Sequence, residues 1–140
     1  MRSSNRRRKR TEQGYVRSAL IALRRRGVQA AWEAALLGRS VDLAFLLDDL
    51  VYTVEFKKRD WRRALVQAKD HLLGTDFAYI CVAEIEPSEA LMVEARQAGI
   101  GVVRFRSDEN WPFEIVVEAP PSQQTWVVAR DRLRTQLLAG

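Results

Sequence analysis

Val41-Asp42-Leu43-Ala44-Phe45-Leu46-Leu47-Asp48-Asp49-Leu50-Val51-Tyr52-Thr53-Val54-Glu55-Phe56-Lys57 is the stretch that decides how this chain is read. Two runs rich in β-branched, aromatic and aliphatic residues, Val41 to Leu47 and Leu50 to Lys57, flank the turn-forming pair Asp48 and Asp49, which predicts a β-hairpin. With the turn centred between the two aspartates, Leu47 faces Leu50, Ala44 faces Thr53, and Asp42 faces Glu55. Residues so placed have Cβ atoms about 5 Å apart, and like charges there repel by a few tenths of a kcal/mol or more. Something must offset that repulsion. Side chains alternate along a strand, so Thr53, Glu55 and Lys57 share one face while Tyr52, Val54 and Phe56 share the other. Two carboxylates at one place suit a hard divalent cation such as Mg²⁺, which takes oxygen ligands and keeps waters that a phosphate can replace. Lys57 stands beside them, where its ammonium can stabilise developing negative charge or orient an attacking water.

Outward from the hairpin, the pattern alternates between helix and strand. Upstream, Tyr15, Leu20, Ile21 and Leu23 mark an amphipathic helix from about Glu12 to Arg26, ended by Gly27. Val28 to Leu37 is open to strand or helix, because Ala and Leu dominate it, and is taken here as a strand. Downstream, Trp61, Leu65, Ala68 and Leu72 fall on one face of a helix over Asp60 to Gly74. Phe77 to Ala83 is a continuous apolar run of the kind found in strands covered on both faces. Pro87 and Ser88 open a helix through Leu91, Met92 and Ala95 to a stop near Gly99, and Ile100 to Phe105 is the next strand. That strand, helix, strand order predicts a parallel pair joined by a right-handed crossover. After the turn-rich Ser107 to Pro112 come an edge strand, Phe113 to Glu118, and a last helix over about Gln124 to Leu138. The expectation is an α/β fold: a mixed β-sheet flanked by helices, in the order αβββαβαβ with a further strand and helix.

Size and composition narrow the classes. The 140 residues form one ordinary domain, assigned to residues 11–140 after a basic tail at residues 1–10. No apolar run approaches the ~18 residues of a membrane span, and Ala19 to Leu23 is too short for a signal-peptide core, which places the protein in the cytoplasm without membrane partners. One cysteine and one histidine exclude a zinc site or a disulfide framework. Cys81 reads as an inert thiol inside a strand, not as a nucleophile paired with His71. The net charge is +5. Arg2, Arg6, Arg7, Arg8, Lys9 and Arg10 account for the whole excess, since the other 17 basic residues meet 18 acids. Such a tail reads as disordered alone; it suits phosphate backbones or serves only solubility.

The segment from Val41 and Asp42 to Glu55, Phe56 and Lys57 resembles the signature of the PD-(D/E)XK nuclease superfamily, which includes restriction endonucleases and archaeal Holliday junction resolvases. In that family an aspartate opens one strand of a hairpin, and an acid, any residue and a lysine close the next. Val41 departs from the proline often found before the aspartate, at a position that varies widely. Gln67 matches a glutamine that several branches carry on the following helix. Many members also place a glutamate upstream; Glu33 on the first strand is the preferred match, as a sheet neighbour of Asp42, and Glu12 on the first helix is the competitor. The resemblance spans roughly Glu12 to Phe105, leaving the final strand and helix as a decoration.

What the resemblance implies is a restriction-endonuclease-like fold and Mg²⁺-dependent hydrolysis of DNA phosphodiester bonds, with Mn²⁺ as a substitute. Asp42 and Glu55 would coordinate the metal with the Phe56 carbonyl as a further ligand, and Lys57 would position or activate water. Lys58, Arg59, Arg62, Arg63 and Lys69 become phosphate contacts, joined by Arg6, Arg7, Arg8, Lys9 and Arg10 of the tail. Many members act as dimers, which implies a homodimer without identifying its surface. Repair, recombination and mobile-element defence are the expected settings. The alternatives are a non-catalytic member of the fold that binds nucleic acid or protein, and an adaptor whose tail is its only nucleic-acid contact. Taken on their own, Trp32 and Trp61 read as core residues, His71 as a partly exposed helix residue, the basic cluster as a solvated helix face, and Gln67 as a group satisfying the backbone.

Overall fold

The first helix starts where a threonine can cap it. In the computed structural model, which describes residues 10–107 and 110–139, Thr11 Oγ1 accepts a 2.9 Å hydrogen bond from the Gly14 amide. It thereby satisfies one of the free N–H groups at the start of α1, Glu12–Arg25. Gly27, with φ of 78°, turns the chain out of the helix. Arg6, Arg7, Arg8 and Lys9 lie outside the described residues. Arg10 is exposed, its guanidinium 5.5 Å from the centre of the Tyr15 ring and 5.6 Å from that of Phe105.

Three strands follow, β1 (Ala30–Leu36), β2 (Arg39–Leu47) and β3 (Leu50–Lys57), each antiparallel to the last. The β2–β3 turn is made by Asp48 and Asp49 at φ of 50° and 67°, left-handed geometry that Asp tolerates and that a two-residue hairpin turn requires. The register is the expected one, with Leu47 opposite Leu50 and Ala44 opposite Thr53. The ladder ends at Leu43 and Val54, one pair short of Asp42 and Glu55. On the other side of β2, pairing passes from Trp32–Leu43 to Ala34–Val41 and omits Glu33 and Asp42, and Glu33 has a left-handed φ of 53°. Both ladders therefore break at Asp42, whose carboxylate takes up a main-chain amide itself.

The remaining elements are α2 (Trp61–His71), β4 (Phe77–Val82), α3 (Glu89–Ala98), β5 (Gly101–Phe105), β6 (Phe113–Val117) and α4 (Val127–Ala139). Asp60 caps α2 and Ser88 caps α3, and Gly99 ends α3 in the left-handed conformation. The strands form one sheet in the order β1 to β6, with β3, β4 and β5 parallel and the rest antiparallel. The predicted element order holds throughout. The last helix begins three residues later than its sequence suggests. Ser122 and Thr125 instead donate side-chain hydrogen bonds to the carbonyls of Leu72 and Thr75, tying the approach to α4 to the connection between α2 and β4.

Helix α1 covers one face of the sheet through Val16, Ala19, Leu20 and Leu23, packed with Leu43, Phe45, Val54 and Phe56. The opposite face carries α2 and α3 over Ala78, Ile80 and Val102, and α4 over Val41, Ala44 and Val51. Cys81 is wholly buried in the first of these cores, and burial pushes its thiol pKa up, so it is an inert packing group. Trp32 departs from expectation: it is 37% exposed, because β1 is an edge strand. Trp61 is half-buried at the start of α2. Along β1, the Gln136 side-chain amide from α4 donates 2.7 Å to the Ala35 carbonyl and accepts 2.8 Å from the Ala35 amide. Among the described residues no helix is long and apolar enough to cross a membrane.

Candidate functional site

Antiparallel pairing puts the beginning of β2 beside the end of β3, and α2, leaving that end, crosses back over the same face. The result is a cleft of about 200 Å³ lined by Asp42, Glu55, Lys57 and Gln67, with Arg39 and Asp70 also on its wall. Four of the five side chains expected to act together do line one space. It lies at the carboxyl end of β3, where this strand's parallel pairing with β4 meets its antiparallel pairing with β2. Open α/β sheets place their ligands at the carboxyl ends of parallel strands.

Asp42 and Glu55 are accommodated by different means. Asp42 Oδ2 accepts a 2.9 Å hydrogen bond from the amide of Phe56, which fixes the carboxylate against the β3 main chain. Glu55 is buried, with 6% of its side chain exposed. Burial raises its pKa to about 9, reinforced by the negative charge of Asp42 and a hydrogen bond shared with it, while Lys57 pulls the other way. Without a cation, Glu55 therefore holds a proton at neutral pH. That proton is the offset to carboxylate repulsion that the hairpin geometry demands. The Phe56 side chain points to the opposite face and packs in the α1 core.

Of the two upstream glutamates, Glu12 is the one that reaches Lys57. Its Oε1 lies 3.7 Å from Lys57 Nζ, and its Oε2 accepts a 3.3 Å hydrogen bond from the Lys58 amide. Glu33, the preferred candidate from sequence, does not join the cluster. Its left-handed backbone turns the side chain to the surface, where Oε2 accepts a 3.0 Å hydrogen bond from Gln13. Gln67 does not satisfy a backbone group, because its buried Oε1 has no hydrogen-bond partner.

His71 also departs from expectation. It is 3% exposed, not a surface residue, and its Nε2 stands 3.7 Å from Glu55 Oε1. Burial lowers its pKa against the opposing pull of Asp42 and Asp70, so the ring is neutral beside a protonated Glu55 and the contact is not an ion pair in the metal-free protein. Arg39 and Asp70, also unforeseen, pair at 3.4 Å across the cleft wall. Gln67, Asp70 and His71 stand three and four residues apart on α2, so helical spacing counted from Gln67 could have found two of the three additions. Arg39 had no such signal, since three residues along a strand from Asp42 is the wrong parity.

The basic residues after the motif run from Lys58 and Arg59, just before α2, to Lys69 in its last turn. Arg59 lies 3.9 Å from Glu84, the Arg62 guanidinium stacks 4.2 Å from the centre of the Trp61 ring, and Arg63 and Lys69 are exposed. Lys58 is half-buried. A larger cleft of about 400 Å³ beside Ser18, Arg25 and Asn110 is lined by no acid among the described residues.

Among the described residues no group of three or more His, Cys, Asp or Glu side chains is close enough to enclose a metal ion. Two carboxylates in an open cleft, with the unpartnered oxygen of Gln67 nearby, fit Mg²⁺, which is commonly held by one or two carboxylates and several waters. They do not fit a structural zinc site, which is closed by four ligands that are mostly Cys and His.

No protein-family model matches the chain, and no curated protein sequence matches it either. Among solved structures, an XisH family protein from Nostoc punctiforme is similar, with a TM-score of 0.52 over 72% of this chain and 97% of that one, at 12% identity. The likeness is one of fold: the chain is a mixed α/β sheet flanked by helices, of the restriction-endonuclease-like kind.

Proposed function

We propose that the protein is a metal-dependent endonuclease that hydrolyses phosphodiester bonds in DNA. The observation that carries this proposal is the convergence of Asp42, Glu55 and Lys57 on one cleft beneath Gln67. A carboxyl buried beside a second acid and a lysine is a costly set to keep together unless the site binds something that needs it.

Asp42 and Glu55 would hold Mg²⁺, or Mn²⁺ in its place. The bound cation would supply Lewis-acid stabilisation of charge on a phosphoryl oxygen and lower the pKa of a coordinated water. Asp42 enters this role already oriented by the Phe56 amide. Glu55 must first give up its proton. Lys57 Nζ donates a hydrogen bond to the attacking water or to a non-bridging phosphate oxygen, and Glu12 holds that ammonium in place at 3.7 Å. Gln67 turns its amide toward the same cleft and orients water there. Arg59, Arg62, Arg63 and Lys69 bind flanking phosphates without reading sequence.

The test is incubation of the purified protein with duplex, flap, junction and single-stranded DNA in Mg²⁺, Mn²⁺ or EDTA, beside Asp42→Ala and Lys57→Ala. Cleavage is expected only with metal and only for the wild type. Cutting in EDTA, or by both variants, would reject the assigned site.

A further inference from the structure

Alanines and leucines make up most of the buried side of α2, with Ala64, Leu65 and Ala68 facing the sheet and Leu72 buried just beyond its end. His71 breaks that series. A packing role alone would be served by an apolar side chain, whereas an imidazole here buries a ring nitrogen, Nδ1, that has no hydrogen-bond partner. The other nitrogen, Nε2, is turned to Glu55, one small side-chain adjustment beyond hydrogen-bonding range at 3.7 Å, with 4% and 6% of the two side chains exposed.

We infer that His71 is a positioning residue for Glu55, its Nε2 holding the carboxyl in the orientation that a bound divalent cation requires. The inference rests on the metal-dependent reading of the site. A neutral imidazole carries one N–H, and an ionised carboxylate only accepts, so the tautomer with the hydrogen on Nε2 matches this contact and leaves Nδ1 as the bare acceptor. Asp42 approaches the same carboxyl, and its own carboxylate is fixed by the Phe56 amide. Between them, Asp42 and His71 leave Glu55 little freedom to turn away. Outer partners of this kind set the direction of a ligand's lone pairs, and their loss commonly weakens metal binding about 10- to 100-fold.

Placement on α2 adds a geometric consequence. Gln67 is one turn before His71, and both line the cleft. A single rigid helix thus presents a free amide to the cleft and a brace to the acid behind it.

The measurement is Mn²⁺ affinity of the full chain by electron paramagnetic resonance at one pH, for wild type, Glu55→Gln, His71→Gln and His71→Asn. A glutamine can carry an amide N–H to the place of Nε2, whereas the shorter asparagine reaches only the place of Nδ1. His71→Gln is expected to bind within a few-fold of wild type and His71→Asn about 10- to 100-fold more weakly. Urea unfolding of both variants checks that the fold is kept. Equal binding by wild type, His71→Gln and His71→Asn, with Glu55→Gln strongly impaired, would overturn the positioning role and leave the metal site standing. Wild-type protein that binds no Mn²⁺, or binds it equally well as Glu55→Gln, would remove the metal site and His71's role together.

Discussion

Asp42 Oδ2 receives the Phe56 amide at 2.9 Å at the point where the ladder between β2 and β3 stops. The carboxylate thus replaces a missing main-chain acceptor as well as facing the cleft. Asp42→Asn keeps an oxygen there and removes the charge, while Asp42→Ala leaves the amide unpartnered. Asparagine should therefore be the more stable variant by about 1 kcal/mol, the usual net contribution of one hydrogen bond. Urea denaturation of the two proteins measures the difference.

The same substitution separates the causes of the Glu55 shift. Burial is the larger one and the charge of Asp42 the next. In Asp42→Asn, the Glu55 pKa should fall from about 9 yet stay above its ordinary 4.5. A ¹³C NMR titration of the Glu55 carboxyl reads it directly. A return all the way to 4.5 would mean that Asp42, and not burial, dominates.

Stability should also depend on pH through Glu55, in a direction unusual for a carboxylate. Its folded pKa is raised, so the folded state keeps a proton that the unfolded chain begins to lose near pH 4.5. The contribution is intact below that pH and declines as pH climbs toward 9. Glu55→Gln has no proton to lose, so its stability relative to metal-free wild type should grow from pH 5 to pH 9. Thermal melts in EDTA across that range provide the comparison, and a constant difference would contradict the shifted pKa. Mn²⁺ binding to wild type should tighten over the same interval, because the ligand must be deprotonated.

Glu12 and Glu33 should behave differently when each is changed to glutamine. Glu12 touches Lys57 and the Lys58 amide, whereas among the described residues the Glu33 carboxylate is hydrogen-bonded only by exposed Gln13. On the proposed function, Glu12→Gln should lower cleavage about tenfold or more by loosening the lysine, in line with the sensitivity of rate to small misplacements. Glu33→Gln should stay within twofold of wild type. Single-turnover cleavage rates in Mg²⁺ decide between them.

Gly101, the first residue of β5, has no room for a side chain. A Cβ there would lie 2.3 Å from the Tyr79 ring and 2.7 Å from the Val117 carbonyl oxygen, a backbone atom that cannot swing aside. Gly101→Ala should destabilise the protein by about 1–3 kcal/mol, the range for overpacked cores. Its chemical denaturation midpoint should fall accordingly, with cleavage by the folded fraction unchanged.

The elements were legible because their signals are local. Apolar periodicity marked the helices, two aspartates at positive φ marked the hairpin turn, and the register followed from it down to Leu43 and Val54. The site was legible as far as that register carried, to Asp42, Glu55 and Lys57, and one helix further to Gln67. Glu33 was misplaced because pairing arithmetic assumes a regular strand. A left-handed residue in β1 breaks that assumption with no glycine to announce it. His71 was misjudged because a polar residue near a helix end ordinarily faces water. Only the approach of α2 to β3 makes its environment a buried one, and that is a tertiary fact.

Gln136 gives the last helix a task unrelated to chemistry. By occupying both polar groups of Ala35, it denies an incoming strand a foothold on β1. A chain shortened to remove α4 would bare that border together with Val41, Ala44 and Val51, and neighbouring molecules could then stitch their sheets together through it. The last helix thus closes the β1 border at Ala35.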